Sequence, residues 1–345
     1  MIEAPSPPRS PWQRLYGAAH ALRCAWWAGR AAKLPRPVIS VGNLHWGGTG
    51  KTPLVAALAA HLRDQGAKVA ILSRGYKSRG EGVRVVSDFH GGPYLGPLVA
   101  GDEPVLLAGL VPGVAVVVAP QRAAAGRAAL ERLSPPPNFF LLDDGFSHLA
   151  LARDLDLLVF PAADPFAGGR LPPAGRLREP LAAAARAHAA LLTGSGVTVA
   201  SAREVGRALE RFGFRGAAFA APTVVGAARG ADRLPLPAGQ RVLLVSGIAR
   251  PASLRASAEE AGFEITGELT FPDHHDYPEP SLARLRRAFA TAGAEAVLTT
   301  AKDLVKLRGR LKLPVAELPI ESHPEPAFFT WLDQRLAAVD ADEGR

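Results

Sequence analysis

The sequence has almost no cysteine, since Cys24 is the only one among 345 residues. A disulfide within the chain is therefore excluded, and so is a metal site built on several cysteines. No run of eighteen or more uncharged apolar residues occurs, so no membrane-spanning helix is expected. The first residues also lack the charged and then apolar pattern of a signal peptide. These absences favour a protein of a reducing compartment.

Acidic residues are missing from positions 4–63, although basic residues are frequent there. The whole chain carries a formal net charge of +8, almost all of it from arginine. Such an excess indicates an anionic partner, such as nucleic acid, anionic lipid or a phosphorylated substrate. The excess is also explained by a nucleotide-composition bias of the coding sequence, which would favour arginine, alanine, glycine and proline. Composition alone leaves both interpretations open.

Within this acid-free region, residues 12–34 predict an amphipathic helix that follows a loose, proline-rich segment at 1–11. Its apolar positions recur at steps of three and four: Trp12, Leu15, Tyr16, Ala19, Leu22 and Trp26. A basic helix with tryptophans on its apolar side is typical of helices that lie in the plane of an anionic membrane surface. An ordinary helix packed on the domain is the alternative.

From residue 37 onward, short apolar strands alternate with helical segments, which predicts an α/β fold. Near-continuous apolar strands indicate a mostly parallel sheet with helices on both faces. Around 195–235 the pattern becomes turn-rich, and a second, smaller α/β section follows. We therefore predict three parts: a membrane-surface helix at 1–36, a nucleotide-binding domain at 37–225 and a second α/β domain at 226–345.

The stretch "VGNLHWGGTGKTP", residues 41–53, follows a predicted strand and opens a predicted helix. Its glycines let successive N–H groups converge on an anion, and the helix N-terminus points at the same place. Lys51 would reach the outer phosphates and Thr52 would ligate Mg²⁺. The strict phosphate-loop pattern has glycine where this chain has His45. The predicted nucleotide-binding residues are Gly47, Gly48, Thr49, Gly50, Lys51, Thr52 and Pro53.

A second element, the acidic stretch "FFLLDDG", supports a P-loop NTPase-type fold. Four apolar residues deliver Asp143 and Asp144 to the carboxyl end of a predicted strand, where ligands collect in such sheets. A carboxylate there can hold Mg²⁺ directly or through water. No lysine is preceded by Asn or Thr in the [NT]-K-x-D pattern of guanine-specific members. We therefore expect ATP rather than GTP.

Two further stretches carry acid–base candidates. "GDEP" presents Asp102 and Glu103 in a turn, although a solvated loop would explain them equally well. "FPDHHDY" places His274 and His275 among aspartates. The spacing is poor for zinc, so a histidine paired with a carboxylate is the better functional interpretation.

Nine elements in fixed order resemble the tetraacyldisaccharide 4'-kinase (lipid A 4'-kinase) family over about residues 12–330. They are "SVGNLHWGGTGKTP", "ILSRGY", "GDEP", "DDGFSH", "RDLDLLVF", "GRLPPAGRLREPL", "SGIARP", "FPDHHDY" and "LTTAKDLVKL". The resemblance implies a P-loop kinase that uses ATP and Mg²⁺ to phosphorylate the 4'-hydroxyl of a tetraacyldisaccharide 1-phosphate, giving lipid IVA. It also implies that the enzyme acts at the cytoplasmic face of the bacterial inner membrane and that its active site lies in a cleft between two α/β domains.

The resemblance assigns roles to residues at matching positions. Asp102 is implied to activate the sugar hydroxyl, with His274 as its partner and Lys51 on the phosphates. The implied metal residues are Thr52, Glu103, Asp143 and Asp144, and the other implied site residues are Arg178, Glu179 and His148. The family usually has Gln at Ser147, Gly at Ala249 and Glu at Ala301. The expected partners are the lipid A precursor and an anionic membrane surface, with no nucleic acid and no protein partner inferred.

Two rival functions share part of this pattern. A membrane-associated ATPase that acts as a switch would use the basic helix, the loop and the acidic strand end, but it does not explain "GDEP" together with "FPDHHDY". A nucleic-acid-binding ATPase would use the net positive charge. No nucleic-acid recognition motif is present, however, and the basic residues are dispersed along the chain.

Overall fold

The computed structural model describes residues 10–230 and 234–343. Its helices are α1 (Pro11–Trp27), α2 (Lys51–Asp64), α3 (Pro97–Ala100), α4 (Asp102–Leu110), α5 (Arg122–Arg132), α6 (Val199–Glu210), α7 (Pro251–Glu260), α8 (Glu279–Ala292), α9 (Ala301–Leu307) and α10 (Pro326–Glu343). Its strands are β1 (Val38–Gly42), β2 (Val69–Ser73), β3 (Arg84–Ser87), β4 (Ala115–Val118), β5 (Phe139–Asp143), β6 (Leu155–Pro161), β7 (Ala189–Gly194), β8 (Ala217–Val225), β9 (Arg229–Gly230), β10 (Arg241–Ser246), β11 (Glu264–Thr270), β12 (Ala296–Thr300), β13 (Val315–Leu318) and β14 (Ile320–Ser322).

A nine-stranded sheet in the order β14-β8-β7-β6-β1-β5-β2-β4-β3 forms the larger part of the molecule. All neighbours pair in parallel except the two edge strands, β14 and β3, which are antiparallel. Successive residues of β2 face opposite cores: Val69 and Ile71 join one cluster, and Ala70 and Leu72 join another. Helices therefore cover both faces, which confirms the predicted sheet and explains the uninterrupted apolar strands.

A second sheet of five strands, in the order β11-β10-β12-β13-β9, lies beside the first. Its four long strands run parallel, and the short β9 closes the edge antiparallel to β13. Helix α9 follows β12 directly and packs near α4 of the larger sheet. This contact brings loops from the two sheets together at one cleft.

The end of the chain returns to the larger sheet, contrary to the prediction that 226–345 form one domain. Strand β14 pairs with β8, and α10 inserts Phe328, Leu332 and Leu336 into the core that also holds α2. Phe328 is fully buried against Phe219 of β8. We call residues 10–225 with 320–343 the large domain, and residues 226–230 with 234–319 the small domain.

Helix α1 is shorter than the predicted helix at 12–34 because it ends at Trp27, two residues before Gly29 with its left-handed φ of 77°. Residues 1–9 of the predicted loose segment lie outside the described residues. One face of α1 contacts the rest of the large domain through Tyr16 and His20. Within residues 10–230 and 234–343, no helix combines the length and the apolar character needed to cross a bilayer.

Candidate active site

The phosphate loop joins β1 to α2 and is anchored on both sides. The side-chain amide of Asn43 donates to Thr49 Oγ1 at 2.8 Å, and the hydroxyl of Thr193 donates to the Thr49 carbonyl at 2.7 Å. Gly47 and Gly50 have φ values of 104° and 78°, which favour glycine strongly. The loop therefore has the tight, glycine-dependent turn that the sequence predicts before a helix N-terminus.

His45 packs inside the protein, whereas Trp46 beside it is exposed. The backbone of His45 pairs with Leu177, and its ring meets Phe160 edge-on. Burial lowers the pKa of His45 to about 4, so the ring is neutral at pH 7. The residue that replaces the first glycine of the strict motif is thus a packing residue, and the turn that binds phosphate begins after it.

Arg178 fixes one of the two adjacent aspartates at the end of β5. Its guanidinium forks onto both oxygens of Asp144, at 2.8 and 3.0 Å, and also donates to the side-chain oxygen of Asn43. Lys51 Nζ lies 3.5 Å from the same carboxylate. Burial acts to raise the pKa of Asp144, but the Arg178 hydrogen bonds and the Lys51 charge outweigh it and hold that pKa well below its usual range. Asp144 is therefore ionised.

Asp143 has the opposite environment. It is fully buried, and burial, followed by the charges of Glu103 and Asp144, raises its pKa to about 7. Crowded carboxylates of this kind are relieved by a cation, so this donor set fits a divalent metal ion. Among the described residues, no three His, Cys, Asp or Glu side chains converge closely enough to hold a metal by themselves. An ion here would also need phosphate oxygens or water, as Mg²⁺ usually does.

The two domains meet where Asp102 touches His274. Asp102 is the first residue of α4, and its Oδ2 lies 3.1 Å from His274 Nδ1. His274 has a left-handed φ of 64°, and its ring meets Tyr76 edge-on. Burial acts to raise the pKa of Asp102, but hydrogen bonds from His274 and Lys306 outweigh it and lower that pKa below its usual value. The acid–base pair implied by the family resemblance is thus in contact.

Glu179 has different partners from those of its neighbour Arg178. Its buried carboxylate contacts His20 of α1 at 2.8 Å and Arg186 at 2.5 Å, with Arg23 of α1 at 3.4 Å. The hydroxyl of Tyr16 donates to the Arg178 carbonyl at 2.8 Å. This short segment therefore joins α1 on one side to the nucleotide-site carboxylate on the other.

His148 lies in the turn after Asp144. Burial, followed by the charges of Arg122 and Arg153, lowers its pKa to about 4. His275 stacks on Phe271 and contacts Ser281, so it packs within the small domain while His274 reaches the cleft. This division agrees with the expectation that only one of the adjacent histidines acts in a given site.

The site also contains three polar residues that are not among the predicted ones. The Asn43 side chain donates to Thr49 of the loop and accepts from Arg178. Lys302 contacts His274 Nε2 at 3.0 Å, and Lys306 contacts Asp102 at 2.6 Å. Asn43 directly follows a buried strand, at the edge where ligands collect. The two lysines stand four residues apart in "AKDLVKL", a spacing that puts them on one helix face. Both signals are visible in the sequence.

Comparison with known proteins places these elements in a family context. A family model described as LpxK, tetraacyldisaccharide-1-P 4'-kinase, matches residues 9–337. The tetraacyldisaccharide 4'-kinase of Anaeromyxobacter dehalogenans strain 2CP-C is 44% identical over 282 residues, covering 80% of this chain and 74% of that protein. That of Geobacter metallireducens is 43% identical over 300 residues, covering 85% and 86%.

A solved structure is similar over nearly the whole fold. It is a crystal structure of the "apo" form of LpxK from Aquifex aeolicus in complex with ATP. Its TM-score is 0.74 at 34% sequence identity, and the match covers 94% of this chain and 97% of that chain. The likeness therefore extends across both sheets.

Proposed function

The chain belongs to the tetraacyldisaccharide-1-P 4'-kinase family, a family of kinases that phosphorylate a lipid A precursor at the 4' position, and from this premise we propose how its residues act. The single observation that carries the proposal is the contact between Asp102 of the large domain and His274 of the small domain. It supplies an acid–base pair at the cleft beside a complete phosphate loop. ATP, which the Aquifex aeolicus relative binds, is the phosphoryl donor in this proposal.

The phosphate loop would hold the ATP phosphates in line with the acceptor. Backbone N–H groups from Gly47 to Lys51 surround the β-phosphate in such loops, and the Lys51 ammonium neutralises charge on the transferred group. Arg178 and Asn43 keep Asp144 fixed while this happens. Phosphoryl transfer needs mainly positioning and charge neutralisation, which these groups supply.

Mg²⁺ fits the acidic side of the loop. Thr52 would offer its hydroxyl, and Asp143, Asp144 and Glu103 would offer carboxylates, directly or through water. A bound Mg²⁺ would neutralise charge on the phosphate oxygens. The raised pKa of Asp143 supports this assignment, since a nearby cation would favour its ionised form.

Asp102 would remove the proton from the acceptor hydroxyl. A sugar hydroxyl is a weak nucleophile until a base takes its proton in the transition state. Asp102 is ionised, since its pKa is lowered, and it is largely shielded from water. Because its partner His274 comes from the small domain, closure of the two domains would complete the site and exclude water that would otherwise consume ATP.

The decisive test of the reaction is the dependence of ATP turnover on the acceptor. We expect ADP formation only when an acylated glucosamine disaccharide 1-phosphate is present, with one phosphate transferred to its 4' oxygen. A 4'-deoxy disaccharide of the same acylation is the matched control and should give no turnover. Equal ATP turnover without lipid, or stimulation by nucleic acid, would contradict the proposal and favour the switch or nucleic-acid ATPase.

We further propose that the enzyme works on an anionic membrane surface, at the cytoplasmic face of the bacterial inner membrane. An acceptor with four acyl chains stays in the bilayer, so the active site must come to it. The side of α1 turned away from the rest of the large domain exposes Leu15, Leu22 and Trp26, while Trp12 at its edge is half-exposed and donates its indole N–H to the Pro172 carbonyl. The guanidinium of Arg30 lies over the Trp26 ring, 5.4 Å from its centroid, and places a positive charge beside these apolar side chains, which suits anionic headgroups.

Charge placed on the exposed stripe of α1 should release the protein from membranes. We expect Leu22→Glu with Trp26→Glu to weaken binding to phosphatidylglycerol vesicles by at least about tenfold, because each large apolar side chain contributes about 1.5–3 kcal/mol when fully buried. Co-sedimentation with vesicles measures this. Leu234→Glu is the control, since Leu234 is equally exposed but lies in the small domain. Unchanged sedimentation of the double variant would rule out α1 as the anchor.

A further inference from the structure

Lys306 is a buried lysine that reaches from the small domain into the cleft. It lies on α9, its side chain is only 3% exposed, and its Nζ stands 2.6 Å from Asp102 Oδ2. The ammonium also donates to the backbone carbonyl of His275 at 3.0 Å. Lysine is almost never this buried without a charged partner, and here the partner is the candidate base.

The two oxygens of Asp102 are used unequally. Oδ2 receives both His274 Nδ1 and Lys306 Nζ. Within residues 10–230 and 234–343, no hydrogen bond reaches Oδ1. A carboxylate oxygen that accepts two charge-assisted or polar donors is held in place, while the other oxygen keeps its lone pairs. Oδ1 is thus the oxygen left to accept a proton.

A second lysine of α9 fixes the orientation of the histidine. Lys302 Nζ lies 3.0 Å from His274 Nε2 and 3.1 Å from Asp273 Oδ1. Because an ammonium group only donates, Nε2 must accept, and the ring proton then lies on Nδ1, where it is donated to Asp102. His274 in this arrangement donates to the carboxylate and is not itself a base. One face of α9 therefore controls both members of the pair.

We propose that Lys306 is a positioning residue of phosphoryl transfer, which holds Asp102 Oδ2 from the small domain so that Oδ1 takes the proton of the acceptor hydroxyl. The proposal rests on the proposed function, in which Asp102 is the base. As the proton passes to Oδ1, the hydroxyl oxygen bonds to the γ-phosphorus of ATP and the bond from that phosphorus to the β–γ bridging oxygen breaks. ADP leaves, and the proton on Asp102 returns to solvent. Lys306 touches neither ATP nor acceptor in this step.

A double-mutant cycle between Lys306→Met and Asp102→Asn tests the inference. In the native background, Lys306→Met should lower kcat by about 100-fold, the cost expected when a reacting group is misplaced by about 1 Å. In the Asp102→Asn background, the same change should cost less than about threefold, since the group that Lys306 positions is already lost. The dissociation constant of ATP should stay within about twofold in all four proteins.

Several comparisons separate positioning from a general structural role. Lys312→Met removes an exposed lysine of the small domain and should leave kcat unchanged. Lys306→Arg keeps the charge and should retain more kcat than Lys306→Met. Lys306→Gln serves in the same cycle if the Met variant does not fold.

Equal loss in both Asp102 backgrounds, or loss of kcat together with ATP affinity, would overturn the inference, as would unchanged kcat in Lys306→Met. If instead Asp102→Asn alone keeps normal kcat, then the proposed role of Asp102 fails rather than that of Lys306 alone. These two failures are distinguishable because each single variant is measured separately with the lipid acceptor.

Discussion

Asp102→Asn should lower kcat by about 10²–10⁴-fold, the range that a general base contributes. Asparagine keeps the size of the side chain and can still contact His274 and Lys306, but its oxygen has no capacity to remove a proton from the sugar hydroxyl. The change leaves the phosphate loop intact, so the KM for ATP should stay within about threefold. Steady-state assays with the lipid acceptor, run at saturating and at limiting ATP, separate the two constants.

A matched control tests whether loss of any carboxylate charge lowers kcat. Asp64→Asn removes an exposed aspartate at the end of α2, which forms an ion pair with the neighbouring Arg63, and should leave kcat unchanged. Thermal unfolding of both variants shows whether the fold is kept. Near-normal turnover in Asp102→Asn would mean that another group accepts the proton, and the mechanism would have to be revised.

Lys51→Met should damage both catalysis and ATP binding. Loss of one preorganised charge donor at the transferred phosphate costs about 10²–10³-fold in kcat. The ground-state hydrogen bond to a charged phosphate contributes about 1.5–3 kcal/mol, so the KM for ATP should also rise by at least about tenfold. This double effect distinguishes Lys51 from Asp102, whose loss affects kcat alone.

The control for Lys51 comes from the other end of the same sheet. Lys68 precedes β2 and lies at the amino edge of the parallel strands, opposite to the phosphate loop. Lys68→Met should leave both constants unchanged. A Lys51→Met enzyme with unaltered kcat would show that Lys51 does not stabilise the transferred phosphoryl group, and Arg178 would become the alternative cation, because it is within reach of the same carboxylate.

Much of the nucleotide side of the site follows from local sequence rules. Parallel strands deliver their carboxyl ends to one edge, so Lys51, Asp143 and Asp144 could be brought together from the order of strands alone. The sequence does not distinguish the two aspartates, however. Their pKa values move in opposite directions because Arg178, which stands 34 residues beyond Asp144 in the chain, binds only that one of the pair.

The acceptor side could not be derived from local patterns. Asp102 and His274 are 172 residues apart and lie on different sheets, so their contact depends on how the domains pack. Only the family resemblance paired them in advance. The sequence does not single out Lys306, because a lysine on a short helix is normally solvated. Its burial depends on the closeness of α4 and α9, which no periodicity encodes.

The return of the chain to its first sheet has a consequence for the order of events during synthesis. The core under the phosphate loop includes Phe328, Leu332 and Leu336 of α10, and His61 of α2 contacts Asp333 at 2.9 Å. A ribosome makes these residues about 280 positions after the loop, so the core under the phosphate loop stays incomplete until α10 has emerged, whereas the small domain has all its strands earlier. A chain whose translation is arrested before α10 should therefore have a less stable core beneath the phosphate loop than the full chain.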